Sequence, residues 1–170
     1  CNELGLDTIS TGVVIAFAME CHEKVLIDDK ELSLTWGDPA TVLGLIERIA
    51  HRRGLGDTLA DGVKRAAGRI GGDAARYAMH VKGLETPRQE PRIAKGFGLG
   101  HVTSARGADH LYALPTISLA GLWNVARRYF PEETLDELMD TDSETYKPDE
   151  VLLGEHYCTV SDALGVCKFT

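Results

Sequence analysis

The stretch Val13-Val14-Ile15-Ala16-Phe17-Ala18-Met19 is apolar on nearly every side. It is far short of a bilayer span, and Glu20 follows it directly. A helix without a polar face has to be surrounded by other protein. The run through Glu20 to Lys24 is long for a strand, although the β-branched residues would suit one. The spacing therefore predicts a buried helix over 9–24, started by Asp7 or Thr8 as cap, and a shell of further helices around it.

The rest of the chain supplies that shell. Asp38-Pro39 is a cap followed by a first-turn proline, and Leu43, Ile46, Ile49 and Ala50 recur at helical spacing up to Arg53. Gly54 is a natural stop. A helix is expected over 58–70 with Leu59, Val63, Ala66, Ala67 and Ile70 as its apolar stripe. A short helix follows over 74–79. Further helices are expected over 119–129 and 149–160, and 132–142 reads as an acidic, exposed segment. Residues 25–36 look irregular, with a short extended piece around Leu32 to Leu34. Pro87, Pro91 and Gly83 rule out a long regular element between His80 and Arg92, which marks a boundary or hinge. Gly96, Gly98, Gly100 and Gly107 crowd 93–107, a pattern expected where a backbone or a ligand approaches closely. The fold class is mainly α.

A net charge of −8 argues against a nucleic-acid backbone as partner. No apolar run suits a membrane span, and no signal-peptide layout is visible. The four cysteines, Cys1, Cys21, Cys158 and Cys167, form no CxxC pair and no zinc-finger spacing. With 44% hydrophobic residues a disulfide framework is not needed, and a reducing cytoplasm is the expected setting. The chain opens on Cys1 rather than Met, inside what looks like a motif, and reads as a piece of a longer protein.

Two hexapeptides echo each other at the ends. Asn2-Glu3-Leu4-Gly5-Leu6-Asp7 and Asp162-Ala163-Leu164-Gly165-Val166-Cys167 both read polar-x-Leu-Gly-aliphatic-polar. Each offers a side-chain acceptor, a flexible glycine and an Asp or Cys within six residues. Two such loops could approach one flat, donor-rich ligand from two sides; two ordinary helix ends fit the spacing equally well. Cys167 lies beside Lys168, and a nearby cation favours a thiolate, so Cys167 is a candidate metal or cluster ligand. Four thiolates are needed for an iron–sulfur cubane, and these four do not cluster in sequence. His110 lies in the polar stretch after the glycine-rich segment and could act as general acid or base. His22, His51, His80, His101 and His156 read as surface or structural residues.

At these residues the chain resembles the tungsten-dependent aldehyde ferredoxin oxidoreductase family. That family carries two pterin-contacting motifs of the form Asp-x-x-Gly-Leu-(Cys/Asp). The closing hexapeptide matches with Val166 in place of Leu, the opening one with Asn2 in place of Asp. Agreement extends to residues 5–12, 80–85, 103–110 and 167–169. The resemblance implies two helical domains, both truncated, over 1–84 and 85–170, which pack on an N-terminal β-rich domain of the same protein. It implies a tungstopterin (tungsten or molybdenum on a bis-pterin) bonded by Asn2, Asp7 and Asp162, with Gly5, Leu6, Gly165 and Val166 completing the two loops. Cys167 would be the fourth ligand of a 4Fe–4S cluster whose other three cysteines lie upstream. His110 matches an active-site histidine that assists proton transfer. The implied reaction is oxidation of a small aldehyde to a carboxylic acid, with ferredoxin taking the electrons. The alternatives are a family member acting on an aromatic acyl thioester, favoured if Cys1 is an extra metal ligand, or a helical scaffold without cofactor. Homo-oligomerisation stays open.

Overall fold

The computed structural model describes residues 1–31 and 33–169. The chain is mainly α-helical, with one two-stranded hairpin. It forms two compact units, Cys1–Pro87 and the chain from Arg88 on. No helix among the described residues is long and apolar enough to cross a membrane.

The first unit is built around α1 (Thr8–Glu23), which packs against α2 (Pro39–Ala50), α3 (Leu55–Leu59), α4 (Val63–Ile70) and the second strand of the hairpin. Its residues Val14, Ile15, Phe17, Ala18, Met19 and Cys21 are all buried, as a helix without a polar face requires. Asp7 caps α1, its Oδ1 accepting the Ser10 amide at 2.6 Å. Asp38 does the same for α2, accepting the amides of Ala40 at 3.1 Å and Thr41 at 3.2 Å. This helix ends at Ala50, three residues before the expected Arg53. A 3-10 turn, Gly72–Arg76, stands where a short helix is expected. The extended piece expected around Leu32 to Leu34 begins on Leu32, outside the described residues; Ser33 and Leu34 belong to no strand.

The single helix expected over 58–70 is two helices. The chain breaks at 60–62 because the hairpin of β1 (His80–Val81) and β2 (Leu84–Glu85) delivers a cap from outside. The buried Glu85 carboxylate accepts the Val63 amide at 2.8 Å and so starts α4 afresh. Its partner lies 22 residues away, so local spacing cannot reveal it.

The second unit contains α5 (Lys95–Thr103), α6 (Trp123–Tyr129), α7 (Leu135–Met139) and α8 (Lys147–Leu164). The glycine-rich segment is a helix. Its glycines face protein: a Cβ on Gly96 would stand 3.2 Å from the Glu150 carboxylate and 3.3 Å from Pro115, and one on Gly98 2.9 Å from Pro91. From α8, Gly154 abuts the Ala113 carbonyl so closely that no Cβ fits. The segment 113–115 is thus held between α5 and α8. Helix α6 starts at Trp123 rather than Leu119, because Gly121 takes a left-handed φ of 65°. The acidic segment is not wholly exposed either: Leu135, Leu138 and Met139 of α7 are buried with Ala126.

Lys147 and Glu150 at the start of α8 are 2% and 1% exposed, and their charged atoms stand 3.8 Å apart. Glu150 accepts the Ser118 amide at 2.8 Å and the Ser118 hydroxyl at 3.0 and 2.9 Å. Lys147 donates to the Leu138 carbonyl. Burial lowers the Lys147 pKa, against the pull of Glu150 and Asp140.

Replacing Gly154 by Ala should destabilise the protein by about 2 kcal/mol or more, because the methyl meets backbone rather than a movable side chain. Gly68→Ala, exposed in α4 with nothing near its Cβ position, should be neutral or stabilise by up to ~1 kcal/mol. Urea denaturation of the two variants checks the contrast in sign.

Candidate functional site

The two hexapeptides fold into the same turn. In the first, Asn2–Leu4 is a 3-10 turn closed by Gly5 at φ 68°, ψ 25°. In the second, Asp162, Ala163 and Leu164 are the last residues of α8, closed by Gly165 at φ 68°, ψ 26°. The Gly5 amide donates to the Asn2 carbonyl at 3.2 Å and the Leu6 amide to the Cys1 carbonyl at 3.1 Å. Gly165 donates to Asp162 at 3.2 Å and Val166 to Ser161 at 2.9 Å, the same pair of bonds. Both are Schellman turns, which need a residue in the left-handed region and favour glycine there. The helix-end reading of the repeated Leu-Gly is therefore correct, and it does not compete with a site. A Schellman turn uses up the helix-end carbonyls and leaves the neighbouring side chains outward. Asn2, Asp7, Asp162, Val166 and Cys167 are exposed, and Leu6 is half-buried. Neither glycine has any atom within 4 Å of a Cβ position, so both turns present an open backbone face.

The opening turn lies in the first unit and the closing turn in the second. Asp7 serves both motif and helix: one oxygen caps α1, and an ionised carboxylate has further lone pairs for a ligand. Cys1 is half-buried, and its carbonyl also accepts the Leu4 amide at 2.9 Å.

Within the second unit the structure brings His110 and the closing turn together. Lys168 is the strap. Its ammonium pairs with Asp162 Oδ2 at 2.9 Å and donates to the Leu111 carbonyl at 2.9 Å, one residue beyond His110. The hydrogen bond to Asp162 raises the Lys168 pKa. The cation read from the sequence as a neighbour for Cys167 is thus engaged by Asp162 and the His110 loop. Tyr157 extends the clasp, its hydroxyl donating to the Lys168 carbonyl at 3.3 Å.

The His110 loop is held from its other side by Asp109. This carboxylate is 7% exposed and accepts the Leu111 amide at 2.8 Å through Oδ1. Arg106 Nη1 stands 3.0 Å from Asp109 Oδ2, an ion pair outside hydrogen-bonding alignment. The His110 ring lies 5.6 Å from Phe97 and 5.9 Å from His101, centroid to centroid. Its Nδ1 is buried and has no protein partner among the described residues. Burial lowers its pKa, with Asp109 opposing. A half-buried, neutral imidazole with a buried, unfilled nitrogen can accept a proton. The sequence reading overlooked Lys168 as a strap and His101 as a neighbour of His110. The only local hint of the second was the spacing of Phe97 and His101, one helical turn apart.

The residues fit a pterin in chemical kind. Its nitrogen-rich edge presents N–H donors, and both turns show exposed oxygen acceptors beside an open glycine. The fit to an iron–sulfur cluster rests on Cys167 alone in this chain. No group of three or more His, Cys, Asp or Glu that could hold a metal ion occurs among the described residues.

Residues 1–170 match the family described as aldehyde ferredoxin oxidoreductase, domains 2 and 3. A tungsten-containing aldehyde ferredoxin oxidoreductase of Thermococcus kodakarensis is 37% identical over all of this chain and 27% of its own length. One of the same name from Pyrococcus furiosus is 47% identical over 65% of this chain and 19% of its own length. The WOR-like subunit of an aliphatic sulfonate oxidoreductase from Pyrococcus furiosus is 34% identical over 71% of this chain and 21% of its length. The chain thus spans between 19% and 27% of these relatives. Among solved structures, the active-site complex of benzoyl coenzyme A reductase with 1,5-dienoyl-CoA shares the fold, with a TM-score of 0.63. It is 23% identical, over 95% of this chain and 28% of that one. A match along the whole chain, with the paired turns and the histidine loop inside it, places this protein in the aldehyde ferredoxin oxidoreductase family.

Proposed function

We propose that this chain is the C-terminal helical part of a tungsten-pterin, iron–sulfur oxidoreductase that oxidises an aldehyde to a carboxylic acid. The observation that carries the reading is the pair of Schellman turns with matching backbone, one strapped by Lys168 to the loop of His110. The aldehyde is chosen because the relatives at 37% and 47% identity carry that name. Residues 1–84 and 85–170 are parts of the family's two helical domains, a division three residues before the one between the two compact units. An N-terminal β-rich domain of the same protein completes the site, and the setting is the cytoplasm.

Aldehyde and water yield acid, two protons and two electrons. A bound tungstopterin would supply two-electron redox chemistry, and an iron–sulfur cluster one-electron exchange with ferredoxin. The chain's own residues hold and orient. Asn2, Asp7 and Asp162 accept hydrogen bonds from the pterin rings, at the turns of Gly5-Leu6 and Gly165-Val166. Asn2 keeps an acceptor where the family motif has a carboxylate, at the loss of one negative charge. Cys167 contributes a thiolate to the cluster. Lys168 neutralises Asp162 from behind and fixes the turn against the His110 loop. His110, half-buried and with its pKa lowered by desolvation, takes up one of the two protons.

Full-length protein grown with tungstate and purified anaerobically should contain tungsten and pterin; well-folded protein with neither would overturn the reading. In that protein Cys167→Ser should abolish the iron–sulfur absorption and paramagnetic signals while circular dichroism stays unchanged. An intact cluster spectrum would remove the role given to Cys167. His110→Ala should lower turnover by about 100-fold or more with the metal content kept. Unchanged turnover would take His110 out of the chemistry.

A further inference from the structure

His101 is the least satisfied buried polar group in the second unit. It is 2% exposed, and neither ring nitrogen has a partner among the described residues. A neutral imidazole carries one donor and one acceptor, and buried polar atoms are rarely left without partners. A residue present only to fill space on α5 would be better served by an apolar side chain, as Phe97 is one turn earlier. The ring contacts of His101 are Phe97, at 6.2 Å, and His110, at 5.9 Å with the planes at 69°. His110 has its own buried, unpartnered Nδ1. Two histidines with unfilled nitrogens therefore stand ring to ring beside Phe97.

Resting on the role given to His110 above, we propose that His101 is its positioning residue. The two rings are linked by a solvent-relayed hydrogen bond and hold at most one proton between them. His110 carries that proton, and His101 stays neutral to orient it.

The charges around the pair agree. Asp109, on the His110 loop, is the nearest carboxylate and favours a proton on either ring. Arg106 is engaged with it from solvent. From α8 the titratable groups on this side are Glu150, Cys158 and Asp162, followed beyond the helix by Lys168. Glu150 is taken by Ser118 and Lys147, and Asp162 by Lys168. Burial pushes the Cys158 thiol up, so it is neutral. One carboxylate, already shared with Arg106, beside one buried and one half-buried imidazole does not support two further positive charges. Burial is also the largest cause lowering the pKa of both histidines, and His110 adds to it for His101.

The test uses full-length protein with isotope-labelled histidine and follows the ring signals by NMR against pH. In the wild type His110 should titrate while His101 stays neutral to a lower pH. In His110→Gln the His101 midpoint should rise by about one to two units, the Coulomb effect of a charge near 6 Å at an effective dielectric of ~20. Two further variants separate orientation from packing. His101→Gln keeps a neutral donor and acceptor, so the His110 tautomer signals and kcat should stay within a few-fold of wild type. His101→Phe keeps the bulk and loses the polar atoms. It should shift those signals and cut kcat by about tenfold, with KM unchanged. The reverse order, with Phe tolerated and Gln not, would show a packing role and overturn the proposal. Independent titration of the two histidines would overturn it as well. If His110→Ala leaves turnover intact while the wild-type titrations are coupled, the catalytic role given to His110 above fails and the pairing stands.

Discussion

Taking a lysine and a glutamate out of water costs several kcal/mol per ion, so a buried pair persists only where other bonds complete it. Lys147 and Glu150 meet that condition through Ser118 on one side and the Leu138 carbonyl on the other. The pair ties α7, the loop before α6 and the first turn of α8 to one point. It also accounts for the glycine at the start of α5, because the Glu150 carboxylate sits where a Gly96 side chain would be. Gly96 and Gly98 of this helix are thus a packing requirement. Helix α5 is drawn onto α8, and with it come Phe97 and His101.

From that anchored first turn α8 runs to the closing Schellman turn, where Lys168 makes the second attachment. The helix is held at both ends, and its far end is fixed to the loop of His110. The opening turn reaches the same backbone conformation from a 3-10 turn and leads straight into the capped start of α1. What the two copies share is a way of ending a helix that satisfies the backbone internally. The flanking Asn2, Asp7, Asp162 and Cys167 side chains stay at the surface, Asp162 paired with Lys168. A carboxylate tied up by the helix-end amides would be less available for a ligand. Asp7 shows that both duties can coexist, since its cap uses one oxygen.

Signals within a few residues were readable. Asp7 and Asp38 cap as their types and positions suggest, and the all-round apolar run is the buried centre of its unit. The errors fall where a distant group intervenes. Glu85 divides the helix expected over 58–70, and its carboxylate comes from a hairpin no local pattern connects to Val63. The close approach expected at the glycine cluster 96–100 is there, but glycine does not name what approaches: it is Glu150, Pro115 and Pro91. The acidic surface of 132–142 masked Leu135, Leu138 and Met139 on a helix of little more than one turn. For His101 the one local hint, its place one turn from Phe97, was too weak to read, since that spacing is common on helices.

The amino-acid order by itself determined the helical class, the caps, the stops and the repeated glycine turn. Each depends on backbone groups within about one helical turn of the residue that satisfies them. Only the tertiary structure decided that Lys168 clasps Asp162 and the His110 loop, that Glu150 calls for glycine on α5, and that His101 faces His110. Those pairings join groups brought close by burial rather than by sequence, and burial gives an unpartnered charge or ring nitrogen its consequence.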